Sequence, residues 1–230
     1  MINGDEIVIT MTSYPARITT VSKVVYSILR NTLKPDRFVL NLSELEFKNK
    51  EYDLPMDLRL LLYNNLIEII WHKDNKKQFK KLIPTLEKYP DAVVISIDDD
   101  VYYPIDFVET MYSDYLKYDR KYPITGGRWI DKKYFYNKPS HHGSFTLITK
   151  SMFGNKFIEM KKLIKKELWK NLWFDDPLYT AAIVANGLEY KFSEFNGYKY
   201  KKQFKSEGVS SENKDKRIIE YKFLMENLCK

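Results

Sequence analysis

The sequence contains almost no cysteine and no long apolar segment. Its 230 residues include a single cysteine, Cys229, so no disulfide can form within the chain, which favours a reducing cytosol. No apolar run approaches the roughly 18–20 residues that a membrane-spanning helix needs. The polar, acidic stretch 1–6 is unlike the start of a signal peptide. We therefore expect a cytoplasmic protein.

The sequence also lacks the patterns of nucleic-acid-binding proteins, although its net charge is +7. Lysine supplies most of the positive charge, and no RRM, KH or zinc-finger pattern accompanies it. Positive charge attracts phosphorylated ligands and anionic lipids as well as nucleic acids. We expect one of the first two as a partner, and no nucleic acid.

Apolar segments of strand length alternate with helical patterns in the first half of the chain. The predicted strands cover residues 6–12, 38–42, 66–71 and 92–97. The predicted helices cover residues 21–29, 55–62 and, with a break near Pro84, 77–89. This alternation is typical of an α/β domain with a mostly parallel, Rossmann-like sheet that is flanked by helices.

The second half of the chain is less regular. It contains a predicted strand at 143–148, a tight turn at 125–128 and a polar, mobile segment at 199–216. The predicted helices there cover residues 104–118, 155–170, 177–186 and 217–228. Because ligands of parallel sheets bind where the carboxyl ends of the strands meet, we expect the functional site in the loops 12–17, 71–77 and 98–103.

Three consecutive carboxylates, those of Asp98, Asp99 and Asp100, end the fourth predicted strand. They repel one another, and a divalent cation would compensate that repulsion. Oxygen ligands suit Mg²⁺ or Mn²⁺, which often bridge to the phosphates of a substrate. In an extended segment Asp98 and Asp100 point the same way, so we predict these two as the metal ligands. A solvated strand end with turn-forming aspartates is the alternative.

Three segments resemble one protein family. Residues 93–104, VVISIDDDVYYP, resemble the DXD segment of GT-A glycosyltransferases, especially the family 2-like bacterial sugar transferases. Residues 10–17, TMTSYPAR, resemble the N-terminal nucleotide-binding loop of that group, and residues 79–84, FKKLIP, resemble its helix over the donor. The resemblance implies a metal-dependent enzyme that moves a sugar from a nucleotide-diphosphate sugar to a glycan or lipid-linked acceptor in bacterial surface polysaccharide synthesis.

The resemblance also implies a single GT-A domain with two functional halves. Residues 1–103 would bind the nucleotide sugar, and residues 104–230, with their C-terminal helix, would bind the acceptor. The residues implied in donor binding are Thr12, Ser13, Tyr14, Arg17, Asp74, Lys80, Lys81, Asp98 and Asp99. Among them, Asp74 is expected at the base or ribose, and Lys80 or Lys81 near the donor phosphates. The alternatives are an ordinary turn at 13–15 and a solvated helix face for the two lysines.

A second acidic cluster, Asp175-Asp176-Pro177, follows the apolar stretch 172–174. Inverting GT-A enzymes usually carry their general base in an acidic pair that opens a late helix, so the resemblance implies that Asp175 or Asp176 is the base. The competing explanation is strongest for Asp176, because an aspartate before proline is a favourable helix N-cap. The sequence does not separate the two aspartates.

Several weaker patterns have both a functional and an ordinary interpretation. His141 or His142 is either part of a metal shell or surface, and Trp129, Trp169 and Trp173 either stack on a sugar or pack in the core. The pairs 161–162 and 165–166, which are lysines, together with the final helix, favour peripheral contact with anionic lipid at the inner face of the membrane.

Other classes of protein share parts of this pattern. Phosphatases of the haloacid-dehalogenase type also place Asp-x-Asp after an apolar strand. Their motif has Thr or Val two residues after the second Asp, where this chain has Tyr102. A nucleotidyltransferase is closer in fold, yet the chain lacks a glycine-rich, arginine-containing phosphate loop after the first strand. A catalytically inactive sugar-binding module is the remaining alternative. The donor's base and sugar and the oligomeric state are not readable from the sequence.

Overall fold

The computed structural model of this chain describes residues 4–126, 145–165, 172, 174–193 and 214–228. Seven strands lie within them: β1 Ile7–Thr12, β2 Arg37–Ser43, β3 Glu68–His72, β4 Val93–Ile97, β5 Ile124–Thr125, β6 Phe145–Ile148 and β7 Lys191–Phe192. They form one sheet in the order β3-β2-β1-β4-β6-β5-β7. The predicted fold class, an α/β sheet flanked by helices, is confirmed.

The described helices are α1 Ile18–Leu29, α2 Met56–Tyr63, α3 Ile83–Lys88, α4 Phe107–Lys117, α5 Lys156–Lys165, α6 Asp176–Ala185 and α7 Lys214–Leu228. Three short 3₁₀ segments accompany them at Lys50–Asp53, Lys77–Lys80 and Lys150–Phe153. In the described part of the chain, no helix is long and apolar enough to cross a membrane.

The first four strands run parallel, with β1 between β2 and β4. Helices cover both faces of such a sheet, and this explains why β1 and β4 consist almost entirely of buried residues instead of alternating ones. All four predicted strands are confirmed within two residues at each end. Their carboxyl ends lie together at one edge of the sheet, which places the loops after them side by side.

The remaining strands extend the sheet in mixed directions. β6 runs antiparallel to β4 and to β5, and β7 runs parallel to β5. The predicted turn at 125–128 is corrected at its first residue, because Thr125 belongs to β5, whereas residues 127 and 128 lie outside the described residues. β5 and β7 have two residues each, too few for a period-two pattern to predict them.

Several of the predicted helices have different limits in the structure. The helix expected from 104 begins at Phe107, and residues 166–170 of the helix expected at 155–170 lie outside the described residues. The helix expected at 217–228 begins at Lys214, so the predicted mobile segment 199–216 is corrected at its end, and residues 199–213 lie outside the described residues. α7 packs against α6 and buries Tyr221, Leu224 and Leu228.

The break predicted near Pro84 separates two helical segments. A 3₁₀ turn covers Lys77–Lys80, and α3 then begins at Ile83 with Pro84 in its first turn, where a missing backbone N–H costs nothing. Lys81 stands between the two segments, and Lys80 ends the first. Both lysines are thereby carried to the carboxyl edge of the sheet.

Candidate active site

The loop after β1 and the aspartates after β4 are bound to each other at the carboxyl edge. The Ser13 hydroxyl donates a hydrogen bond of 2.6 Å to Asp99 Oδ2, and Arg17 Nη1 donates one of 2.9 Å to Asp99 Oδ1. The Arg17 Cζ atom also lies 5.5 Å from the ring centroid of Tyr14. Asp99 therefore fixes the predicted nucleotide loop to the end of β4.

Arg17 contacts a second aspartate as well. Its Nη1 atom lies 3.4 Å from Asp100 Oδ2. Burial lowers the pKa of the Arg17 guanidinium, but Asp99 and Asp100 raise it by more, so the pKa lies above its ordinary value. Arg17 is thus a fixed positive charge between two carboxylates.

Asp98 is held by a different set of groups. Its Oδ1 atom lies 3.4 Å from Lys81 Nζ, and its backbone N–H donates a hydrogen bond of 3.0 Å to the Tyr103 hydroxyl. Strand alternation predicted that Asp98 and Asp100 face one side and Asp99 the other. The contacts group the three differently, with Asp99 and Asp100 at Arg17 and Asp98 at Lys81, because β4 already ends at Ile97.

Lys81 joins the two acidic clusters of the sequence. Only 6% of Lys81 is exposed, and its Nζ atom lies 3.4 Å from Asp98 Oδ1 and 4.0 Å from Asp175 Oδ2. Burial lowers the pKa of Lys81, but the charges of Asp98, Asp175 and Asp176 raise it by more, so the pKa lies above its ordinary range. The ammonium group therefore stays protonated between the aspartates of β4 and those of α6.

Lys80 faces other partners. It is 3% exposed, and its Nζ atom lies 3.4 Å from Asn75 Oδ1 and 3.5 Å from Glu46 Oε2. Burial lowers the pKa of Lys80 below its ordinary value, against the opposing charges of Glu46 and Asp99. The alternative of a solvated helix face is wrong for both lysines, because both are buried.

The acidic pair lies at the start of α6. The helix begins at Asp176, so the prediction of Asp176 as the N-cap is wrong, and Asp175 occupies that position without a side-chain capping bond. Asp175 is 8% exposed and Asp176 is half-buried. Burial and then the charges of Asp175 and Asp176 raise the pKa of the buried Tyr179 well above its ordinary value. Because Asp175 makes no side-chain capping bond, helix capping does not explain why a carboxylate occupies that position.

Two other predicted donor residues lie at the same edge with less direct contacts. The Thr12 hydroxyl donates a hydrogen bond of 2.7 Å to the Asn41 carbonyl oxygen. The Asp74 side chain is 54% exposed, and its Oδ2 atom lies 2.8 Å from Lys76 Nζ. Asp74 therefore follows β3 as predicted, with its charge directed at a neighbouring lysine.

Sequence reasoning missed a buried network beneath Lys81. The Lys81 carbonyl oxygen accepts hydrogen bonds from Thr10 Oγ1 at 2.8 Å, Thr85 Oγ1 at 3.1 Å and Asn41 Nδ2 at 3.2 Å. His72 Nε2 lies 2.9 Å from Asn41 Oδ1. The available signal was a single polar residue inside each of two apolar strands, Thr10 in β1 and Asn41 in β2.

Carboxylate oxygens at this edge are suitable donors for a hard divalent cation. Among the described residues, however, no three His, Cys, Asp or Glu side chains form a group that would hold a metal ion by themselves. The predicted contributors His141 and His142 lie outside the described residues, as do Trp129, Trp169 and Trp173.

No protein-family model and no curated protein matches the sequence. Among solved structures, S. aureus TarS 1-349 is 10% identical, with a TM-score of 0.52 over 81% of this chain and 57% of that chain. The 4-diphosphocytidyl-2C-methyl-D-erythritol synthase of Anaerococcus prevotii is also 10% identical, with a TM-score of 0.50 over 97% of each chain. This chain thus spans little more than half of the TarS fragment. These likenesses concern the fold, and by its sheet order and crossovers the chain has a GT-A-like fold.

Proposed function

We propose that this chain is a glycosyltransferase that moves a sugar from a nucleotide-diphosphate sugar to a glycan or lipid-linked acceptor. One observation carries the proposal. The aspartates that follow β4 and the acidic pair that opens α6 meet at the carboxyl edge of the sheet, where Lys81 lies 3.4 Å from Asp98 and 4.0 Å from Asp175. Sugar transfer needs these two acidic groups for two tasks, holding the donor and activating the acceptor.

The donor side of the proposed site is built from the loop after β1 and the end of β4. Arg17 carries a fixed positive charge beside Asp99 and Asp100, and Lys80 is buried at the same edge. A nucleoside diphosphate is a dianion or trianion, so these cations favour its binding. Tyr14, which is partly exposed beside Arg17, is available to contact the nucleoside.

We further propose that the donor binds together with Mn²⁺ or Mg²⁺. Asp98 and Asp100 would hold the ion, and the diphosphate would complete its shell, since Mg²⁺ commonly binds through one or two carboxylates plus substrate phosphates. Such an ion neutralises the charge that develops on the leaving diphosphate.

The acceptor side is assigned to Asp175 and Asp176. In the proposed inverting reaction, one of these carboxylates takes the proton of the acceptor hydroxyl as its oxygen attacks the anomeric carbon, while the bond from that carbon to the nucleoside diphosphate breaks. Asp175 is buried beside Lys81 and Asp176 is half-buried at the first turn of α6.

The setting we propose is bacterial surface polysaccharide synthesis on the cytoplasmic face of the membrane.

A donor panel tests the proposal directly. Thermal unfolding would be followed with a series of nucleotide sugars, with and without Mn²⁺, and release of nucleoside diphosphate would be measured for each. UDP-GlcNAc belongs in the panel because TarS 1-349 has been crystallised with it. At least one donor should raise the melting temperature and release its nucleoside diphosphate. If none does either, the proposed function is wrong.

The metal is tested by one substitution at the end of β4. We expect Asp100→Ala to abolish the Mn²⁺ dependence of nucleoside diphosphate binding, together with turnover, because a metal ligand is lost. Binding would be measured by calorimetry with UDP, with and without Mn²⁺. Asp106→Ala, a change just before α4 outside the proposed site, is the comparison. Undiminished turnover of the unmodified protein in excess EDTA would contradict the metal proposal.

A nucleotidyltransferase is the second candidate function, favoured by the match of the Anaerococcus prevotii enzyme over 97% of both chains. It would take a nucleoside triphosphate and a phosphorylated partner and release pyrophosphate. The loop after β1, Ser13-Tyr14-Pro15-Ala16-Arg17, has no glycine to let triphosphate approach the backbone. Pyrophosphate release from any of the four nucleoside triphosphates with sugar phosphates would favour this candidate, and donor binding without turnover would favour an inactive sugar-binding module.

A further inference from the structure

We infer that Lys81 is a positioning residue that fixes the acidic pair at the start of α6 against the aspartates that follow β4. This inference rests on the proposed function and assigns Lys81 a role other than direct contact with the donor phosphates. Its Nζ atom lies 3.4 Å from Asp98 Oδ1 and 4.0 Å from Asp175 Oδ2. The ammonium group is therefore shared between the donor side and the acceptor side of the site.

Hydrogen bonds from three elements fix the backbone of Lys81. Its carbonyl oxygen accepts hydrogen bonds from β1, β2 and α3 through Thr10, Asn41 and Thr85. All three of these side chains are fully buried. Ordering a lysine side chain costs rotamer entropy. In this chain the folded sheet holds the main chain of Lys81 and the surrounding core restricts its side chain, so folding itself orders the residue. The position of the ammonium group is thereby tied to the sheet.

The neighbouring lysine does not share this geometry. Lys80 is equally buried, but its ammonium group contacts Asn75 and Glu46, which follow β3 and β2. The two consecutive lysines therefore contact different groups at the carboxyl edge of the sheet. Lys80 is placed toward the predicted nucleotide side, and Lys81 toward the reacting groups.

Lys81 places a positive charge between the two acidic clusters. Asp175 makes no side-chain capping bond to α6, and its Oδ2 atom lies 4.0 Å from Lys81 Nζ. Asp98, Asp175 and Asp176 all act on Lys81 through their charges, and without the cation these carboxylates would repel one another. Movement of a catalytic group by about 1 Å can lower a rate about 10²-fold. Lys81 therefore keeps the start of α6 at a set distance from the donor side.

The test is a double-substitution cycle between Lys81→Met and Asp175→Asn. Methionine keeps most of the length and apolar stem of lysine without its charge. We expect Lys81→Met to lower kcat for UDP release from UDP-GlcNAc about 10²-fold, while the Kd of UDP with Mn²⁺ changes less than about threefold. The double variant should be no slower than the slower single variant, because both changes remove the same contact. Lys81→Arg should recover part of kcat.

Two other lysines provide comparisons. Lys88→Met alters a lysine of α3 that is paired with Glu68 on the surface, and kcat should stay at the value of the unmodified protein. Lys80→Met should change the Kd of UDP more than kcat. A fall in affinity for UDP in Lys81→Met with kcat unchanged would overturn the inference and return Lys81 to the donor phosphates. Multiplicative effects of Lys81→Met and Asp175→Asn on kcat would also overturn it.

Unfolding measurements separate this inference from the proposed function. The same cycle would be measured by urea unfolding, using Lys81→Gln as well in case Lys81→Met does not fold. Coupling between positions 81 and 175 in the free energy of unfolding is expected whether or not a donor turns over. If the unmodified protein releases no nucleoside diphosphate from any donor, the proposed function fails. In either case, additive effects of the substitutions at positions 81 and 175 on the free energy of unfolding would overturn the inference, because they would show that the two side chains do not interact.

Discussion

At the scale of single residues, Lys80 and Lys81 show how far neighbouring positions can differ. Both are buried, yet the pKa of Lys80 is lowered by its burial, whereas the pKa of Lys81 is raised because three carboxylates outweigh its burial. The dipeptide lies where a 3₁₀ turn gives way to α3, so its two side chains leave the backbone in different directions. The sequence shows two lysines, and only the fold distinguishes their partners.

The acidic pair gives the first prediction at this scale. Asp175→Asn or Asp176→Asn should lower kcat by about 10²–10⁴-fold, because a general base commonly contributes that factor. The Kd for the nucleoside diphosphate should stay within a few-fold, because the loop after β1 lies elsewhere. Asp175 makes no capping bond, so loss of a cap does not explain a slow variant. Steady-state kinetics and calorimetry check the two quantities.

A matched control for this prediction is Asp119→Asn. The Asp119 side chain is 80% exposed and lies 3.8 Å from Lys121 at the surface, away from α6. It should leave kcat unchanged. If both Asn variants of the acidic pair turned over within a few-fold of the unmodified protein, neither aspartate would be the base.

At the scale of elements, the long apolar strands could be predicted from the sequence and the short strands could not. β1 and β4 are uninterrupted apolar runs, and burial on both faces leaves such runs few alternatives. β5 and β7 have two residues each and pair only because β6 and β5 present edges to them, a tertiary effect without a local pattern. The start of α6 was misplaced by one residue, since an N-cap aspartate and a first-turn aspartate look alike before proline.

Asn41 gives the prediction at this scale, because it ties three elements together. Its Nδ2 group donates hydrogen bonds to the Thr10 hydroxyl in β1 and to the Lys81 carbonyl oxygen, and its Oδ1 atom accepts one from His72 Nε2 of β3. Asn41→Ala should lower the free energy of unfolding by about 1–3 kcal/mol, since Thr10, Lys81 and His72 each lose one hydrogen bond to Asn41. Urea unfolding measures this change.

Asn64→Ala is the control for Asn41. Asn64 also donates to a carbonyl, that of Leu60, at 2.7 Å, but at an exposed helix end. Its removal should cost less than about 0.5 kcal/mol, as is usual for surface changes. Equal destabilisation by both substitutions would show that the network beneath Lys81 contributes no special stability.

At the scale of the whole molecule, charge gives a prediction about membranes. We propose weak binding to anionic vesicles, motivated by the net charge of +7 and the lysines of α5. Some of that charge is already neutralised, because Lys161 pairs with Glu87 and Lys156 with Glu159. Sedimentation with phosphatidylserine vesicles should show binding that about 0.5 M salt reverses, since salt shortens electrostatic reach. Equal binding to neutral phosphatidylcholine vesicles would contradict it.

The meeting of the candidate residues at one edge was predictable from the sequence, and the pairings among them were not. Motif resemblance and strand-end reasoning indicated residues 12–17, 98–100 and 175–176, and the fold brings these segments to one edge. The sharing of Arg17 by Asp99 and Asp100, and of Lys81 by Asp98 and Asp175, depends on backbone directions after the strands end. Periodicity gives no information there.

The bond between Ser13 and Asp99 spans 86 residues of chain, and the contact of Lys81 with Asp175 joins the middle of the chain to its last third. Contacts so distant in sequence form slowly, because closing the long loop between them costs conformational entropy before the contact stabilises the chain. A polypeptide emerging from the ribosome would complete the donor side while α6 is still being translated. Under the proposed function, capacity to bind nucleotide should therefore precede capacity to transfer sugar during synthesis, because the transfer step also needs the acidic pair at the start of α6.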